Sequence, residues 1–111
     1  MRHEPETYLR HMLDASDNIA GMTADLEYEG YLADNKLRWA VERQLMILGE
    51  ALYQLRAEVP EEAAAVPESR SIINFRHVLV HGYAVVENEA VWTIIRIHLP
   101  KLQKFLRERL G

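Results

Sequence analysis

Cysteine is absent from the 111-residue chain, which removes disulfides, thiolate nucleophiles and cysteine-ligated zinc or iron–sulfur sites together. Any metal would have to be held by histidines and carboxylates. An excess of positive charge is missing too. Thirteen Lys and Arg against 17 Asp and Glu leave a formal charge of −4, which argues against a broadly basic surface and leaves room only for a local basic groove. No apolar run approaches the roughly eighteen residues that span a bilayer. The opening residues MRHEPETYLRHMLD are charged and lack the apolar stretch of a secretory signal, so the expected location is cytoplasmic, with no membrane partner. Gly/Ser linkers and repeats do not occur, and the only low-complexity run is EEAAA, Glu61 to Ala65, between Pro60 and Pro67. Phosphate-loop, dinucleotide-binding and serine-hydrolase glycine motifs are all lacking, and nothing resembles a helix-turn-helix with a basic recognition helix.

What remains is an ordinary globular composition, 49% hydrophobic and 27% charged, far from that of a disordered chain. Residues 1–111 are expected to form a single domain. A core of this size is modest and is often extended by a neighbouring subunit. Tyr8, Met12, Ala15, Ile19 and Met22 step by fours and threes, the spacing of one apolar helix face, and this helix should end near Gly21 to Thr23. Leu37, Val41, Leu45, Leu48, Leu52, Leu55 and Val59 repeat the pattern over about six turns, with Asp34 or Asn35 available as the cap. The same helix carries Trp39, Met46 and Tyr53 opposite its leucine stripe. It is therefore either central in a bundle or covered on one side by another subunit. Gly49 sits in its middle, where Gly costs about 1 kcal/mol against Ala, and so marks the close approach of another backbone.

After Pro67, Ser69 or Ser71 is placed to cap a short helix through Ile72, Ile73, Phe75, Val78 and Leu79 that stops at Gly82. Val91, Ile95, Leu99, Leu102, Leu106 and Leu110 mark a last helix, which Pro100 is expected to kink by removing an N–H. The predicted fold is all-α: an antiparallel bundle of four main helices, with a short helical turn around Leu26 to Leu32.

The segment from Arg76 to Tyr83 crowds Arg76, His77, His81 and Tyr83 into an apolar stretch beside a helix-stopping glycine. Arg is a permanent forked donor suited to phosphate, and imidazole both accepts and donates a proton near neutrality. The pair suits phosphodiester cleavage. The plainer alternative is that Arg76 pairs with a surface carboxylate, His77 is solvated, His81 caps the helix end and Tyr83 is core. Arg76 and His81 lie five residues apart, so on an unbroken helix they point about 140° from one another. Two copies facing across a two-fold axis would line one groove with both residue types, able to activate a ribose 2′-OH without metal. His77 and His81 have the spacing of a metal-ligand pair, but Val78 follows His77 where a zinc-protease helix has Glu. Glu42, Arg43 and Glu50 are solvated or locally paired, unless the Trp39 face is a subunit contact, in which case they would orient the Arg and His across it.

With Ala40-Val41-Glu42-Arg43, Leu48-Gly49-Glu50-Ala51, Arg76 through Tyr83, Val91-Trp92 and Leu99-Pro100, nearly the whole chain resembles the HepT-like toxins (DUF86 family) of the HEPN superfamily. Those toxins pair with a minimal nucleotidyltransferase antitoxin. The resemblance implies a homodimeric HEPN bundle with composite sites that cuts RNA without metal or other cofactor, leaving a 2′,3′-cyclic phosphate and a 5′-hydroxyl. It further implies His81 as general base or acid and Arg76 as the phosphate-holding residue; His77, still able to hydrogen-bond, and Glu50 of the two-faced helix are expected as supporting groups on the reading of the residues themselves. Tyr83 matches the tyrosine that the antitoxin modifies with AMP in type VII-like toxin–antitoxin pairs. This chain departs from the pattern at His77, where Asn is common, and in lacking a Trp before the motif helix. The competing expectation is a catalytically inactive HEPN module that binds a nucleotidyltransferase or a nucleotide.

Overall fold

Pro5 opens the first helix, where its fixed φ fits and its missing N–H is not needed. In the computed structural model, which describes residues 4–82 and 86–111, this helix, α1, runs Pro5–Thr23. Its inward face is Tyr8, Leu9, Met12, Ala15 and Ile19, all buried. Ser16 and Thr23 are buried with them, and each hydroxyl donates to the carbonyl four residues back, Met12 and Ile19, at 2.9 and 2.8 Å. Both polar groups are thus satisfied inside the core.

The short α2, Tyr28–Ala33, is the helical turn expected near Leu26 to Leu32. The long helix α3 spans Asn35–Glu58. Asp34 is its cap, its carboxylate accepting from the Leu37 N–H at 3.0 Å. Val41, Leu45, Leu48, Leu52 and Leu55 form its buried stripe, and α1 and α5 pack along α3.

The proline-bounded EEAAA stretch, expected to be a break, is a short helix instead. Val59 lies outside the helical region (φ −137°, ψ 78°), as suits a residue before proline, and Pro60 then starts α4, Pro60–Ala64. The motif helix α5 covers Ser69–His81. Neither Ser69 nor Ser71 caps it; Glu68 takes that place in the left-handed region, φ 60°. It ends as expected, with the Gly82 N–H bonding the Val78 carbonyl.

Pro100 acts differently from the expected kink. Helix α6, Asn88–Thr93, continues into a π turn at Ile94–His98, and α7, Leu99–Leu110, begins with Pro100 in its first turn. The Leu99 N–H reaches back five residues to Ile94. The widened turn puts the proline where a new helix needs no N–H. All elements among the described residues are helical, giving the all-α bundle that the periodicity predicts, with α6, the π turn and α7 serving as its fourth main helix. Among the described residues no helix is long and apolar enough to cross a membrane.

Of the two faces of α3, one is core and the other is not covered by this chain. Trp39 is 61% exposed and Tyr53 43%, with Met46 half-buried between them.

Candidate functional site

The site is built where α5 crosses the middle of α3, and Gly49 allows the crossing. A Cβ at position 49 would lie 2.3 Å from the Arg76 Cβ, 2.9 Å from its Cγ and 3.4 Å from the Ile72 carbonyl oxygen. The stem of Arg76 therefore occupies the space a larger residue would fill. Beyond the stem, the guanidinium meets Glu50, Nη2 to Oε2 at 2.6 Å. The other Glu50 oxygen accepts from Gln54 Nε2 at 3.1 Å. The guanidinium carbon of Arg76 also lies 4.9 Å from the ring centroid of Tyr53, a cation–π contact. Three residues of one α3 face, at 49, 50 and 53, thus fix one arginine of α5.

Arg76 and Val80 line a groove of about 480 Å³ together with Tyr8 and His11 of α1 and Arg43, Met46, Ile47, Glu50, Ala51 and Gln54 of α3. His77 and His81 stand on the adjoining exposed face. Their rings are 4.6 Å apart between centroids, tilted by 52°. Among the residues sequence reasoning singled out, the fold brings Arg76 to Glu50 and His77 to His81. Neither imidazole lines the Arg76 groove. Tyr83 lies outside the described residues. Among the described residues no three His, Asp or Glu side chains converge as a metal-holding set.

Glu42 belongs to a different environment, the contact of α2 with α3. Its carboxyl is held above the ordinary value by burial, partly offset by the charge of Arg38. The fully buried Tyr31 nearby has its phenol pushed up by burial and by the Glu42 charge, and its hydroxyl has no hydrogen-bond partner among the described residues. Trp92 packs on Tyr31 and Tyr28 at 5.3 and 6.1 Å between centroids. The Arg96 guanidinium lies 4.3 Å from the Trp92 ring centroid and donates to the carbonyls of Thr23 and Leu26 at the end of α1. The Val91-Trp92 pair is accordingly a structural lock, remote in sequence from the groove residues of α3.

Sequence reasoning connected Arg43 with Arg76 only across a subunit contact, and it did not connect Tyr53, Gln54 or His11 with Arg76. Tyr53 and Gln54 carried a readable signal, since they sit three and four residues after Glu50 on the same helix face. His11 carried none, because only the packing of α1 on α3 brings it there.

A family model described as ribonuclease HepT-like matches residues 12–109. The chain belongs to that family. Its relatives include a Caldanaerobacter subterraneus protein named "Putative RNase TTE0752", 31% identical over 96% of this chain and 94% of the relative. Another, from Methanocaldococcus jannaschii and named "Putative RNase MJ1380", is 25% identical over 93% of this chain and 94% of its own length. A Thermococcus cleftensis protein named "Probable ribonuclease HepT" is 27% identical over 93% of each chain. No solved structure matches the chain. The all-α HEPN-type bundle and the HepT-like family resemblance of the motifs agree with this membership.

Proposed function

We propose that this HepT-like protein is an endoribonuclease in which Arg76 receives the scissile phosphate and His81 transfers the proton, without a metal. The seating of Arg76 carries the proposal. Glu50 holds one guanidinium nitrogen at 2.6 Å, the Tyr53 ring lies against its carbon, and Gly49 accommodates its stem. A guanidinium has five N–H donors, so one edge stays on Glu50 while another is offered to a phosphate. The names of the relatives support the same class of activity.

In the proposed reaction the ribose 2′-oxygen attacks the neighbouring phosphorus and its proton passes to an imidazole. The P–O5′ bond then breaks, and the departing oxygen takes a proton from an acid group. The products are a 2′,3′-cyclic phosphate and a 5′-hydroxyl. Arg76 balances the charge that builds on the phosphate oxygens, and His77, beside it, adds a hydrogen-bonding group. Because Arg76 and His81 diverge by about 140° around α5, a second copy across a two-fold axis would supply the complementary residue. The exposed Trp39 and Tyr53 stripe supports such a homodimer.

We further propose that a minimal nucleotidyltransferase acts as the antitoxin of a type VII-like pair. The Tyr83 oxygen would attack the α-phosphorus of ATP, pyrophosphate would leave, and the adenylyl phosphate would compete with RNA for Arg76.

The test is incubation of the purified protein with tRNA and mRNA in the presence of a chelator, followed by end-group analysis. Cyclic phosphate and 5′-hydroxyl ends are expected. His81→Ala should lower cleavage roughly 10²- to 10⁴-fold at unchanged melting temperature. Products with 5′-phosphates, or cleavage abolished by the chelator, would overturn the mechanism; an unreactive wild-type protein would leave the interaction module as the function. For the regulation, intact-mass measurement with the partner, ATP and Mg²⁺ should show AMP added to the wild type and not to Tyr83→Phe.

A further inference from the structure

The groove beside Arg76 holds a second arginine that the proposed chemistry does not use. Arg43 and Arg76 both line it, against the single carboxylate of Glu50. With His11 neutral the local balance is 2 − 1 = +1, in a chain whose formal charge is −4. A groove of one sign on a molecule of the other focuses its field on an anionic ligand. The two arginines also differ in state. Arg76 is paired with Glu50 at 2.6 Å, while Arg43 is exposed and pairs with no described carboxylate.

Arg43 and Glu50 are seven residues apart on α3, about 10 Å along its axis, and Arg76 is fixed at the Glu50 end. Two guanidinium groups so separated suit two phosphates along one strand better than a single phosphate. Between them the groove is lined by Met46 and Ile47, an apolar floor against which a ribose and base can pack. Its volume of about 480 Å³ falls within the range of ligand-sized sites, roughly 300–1,000 Å³.

We propose that Arg43 is a phosphate-binding residue of this groove, gripping the same single RNA strand away from the phosphate that is cleaved. This rests on the ribonuclease function proposed above. Arg43 contributes to holding the strand in register and takes no part in the bond changes.

The experiment uses a 2′-O-methyl oligonucleotide, which lacks the attacking hydroxyl, and measures its binding by anisotropy across a salt series. Arg43→Gln is expected to weaken binding several-fold and to flatten the plot of log affinity against log salt by about 0.7, the value for one phosphate contact on a single strand. Arg43→Lys, which keeps the charge, should restore most of that slope. With cleavable RNA, Arg43→Gln should raise KM and leave kcat within about twofold. Arg70→Gln, an exposed change at the start of α5, is the control and should match wild type. If wild type cleaves RNA but Arg43→Gln keeps its salt slope, or loses kcat at unchanged KM, the role of Arg43 is refuted and the ribonuclease function stands. If wild type neither binds the oligonucleotide nor cleaves RNA, both fall together.

Discussion

Tyr31 and Glu42 are residues the fold tolerates at some cost, and both costs can be measured. The Tyr31 hydroxyl is buried without a partner among the described residues, so it has given up hydration and gained no hydrogen bond. Tyr31→Phe keeps the packing against Trp92 and removes that group, and should leave stability unchanged or raise it by up to about 1–2 kcal/mol in urea unfolding. The carboxyl of Glu42 is shifted upward, burial being the larger cause. A folded-state pKa above the unfolded one means that the native state binds the proton more tightly. The favourable contribution is therefore complete below the ordinary value of 4.5 and is lost as pH rises through the folded value. Glu42→Gln should raise the melting temperature at pH 7, and the gain should fade as pH falls through the raised folded value and be gone below about 4.5. A constant gain across that range would mean that its charge is not the cause. At this scale Arg76, His77 and His81 stand out in the sequence as candidates, because titratable side chains crowded into an apolar stretch are conspicuous. Of the partners of Arg76, Glu50 was already named as a supporting group, while Tyr53 was not, since it comes from another helix 23 positions earlier and offers no charge to draw attention.

The crossing of α3 and α5 decides whether Arg76 can be held at all. An exposed Gly→Ala change in a helix gains about 1 kcal/mol. At Gly49 the added methyl would stand 2.3 Å from the Arg76 Cβ, which is not the loose end of a flexible chain, so α5 must move away. Gly49→Ala should therefore destabilise by roughly 1–3 kcal/mol, as overpacking does. It should also reduce RNA cleavage more than the loss of folded protein explains, because Arg76 leaves Glu50. Urea unfolding alongside cleavage rates separates the two effects. The sequence showed that some backbone comes close to Gly49, and it showed α3 plainly, because seven apolar residues at helical spacing outweigh the one glycine. It did not show which backbone, since helix order says nothing about crossing points. The helix at Pro60–Ala64 was hidden by its flanking prolines, although Pro60 at a first turn favours a helix. At Pro100 two local solutions satisfy the missing N–H, a kink or a widened turn before a fresh helix start. Only the packing of α6 and α7 around α1 and α2 selects the second.

At the scale of the whole molecule, the stripe of Trp39 and Tyr53, 61% and 43% exposed, adjoins the Arg76 groove on α3 and shares Met46 with it. A second copy seated on this stripe would bring a second motif helix close to the first, which the divergence of Arg76 and His81 around α5 calls for. Trp39→Glu should then shift sedimentation from dimer to monomer and remove cleavage while the chain stays folded by circular dichroism. Dimerisation alone would not show that the copies share a site, and complementation does. Arg76→Ala and His81→Ala each disable both sites of their own homodimer. Mixed after partial unfolding and refolding, half of the dimers carry one chain of each kind. If Arg76 of one copy works with His81 of the other, every such mixed dimer regains one of its two sites, and the mixture should recover about a quarter of wild-type activity. If both residues act from the same chain, no chain in the mixture holds an intact pair and the activity stays at the level of the single variants.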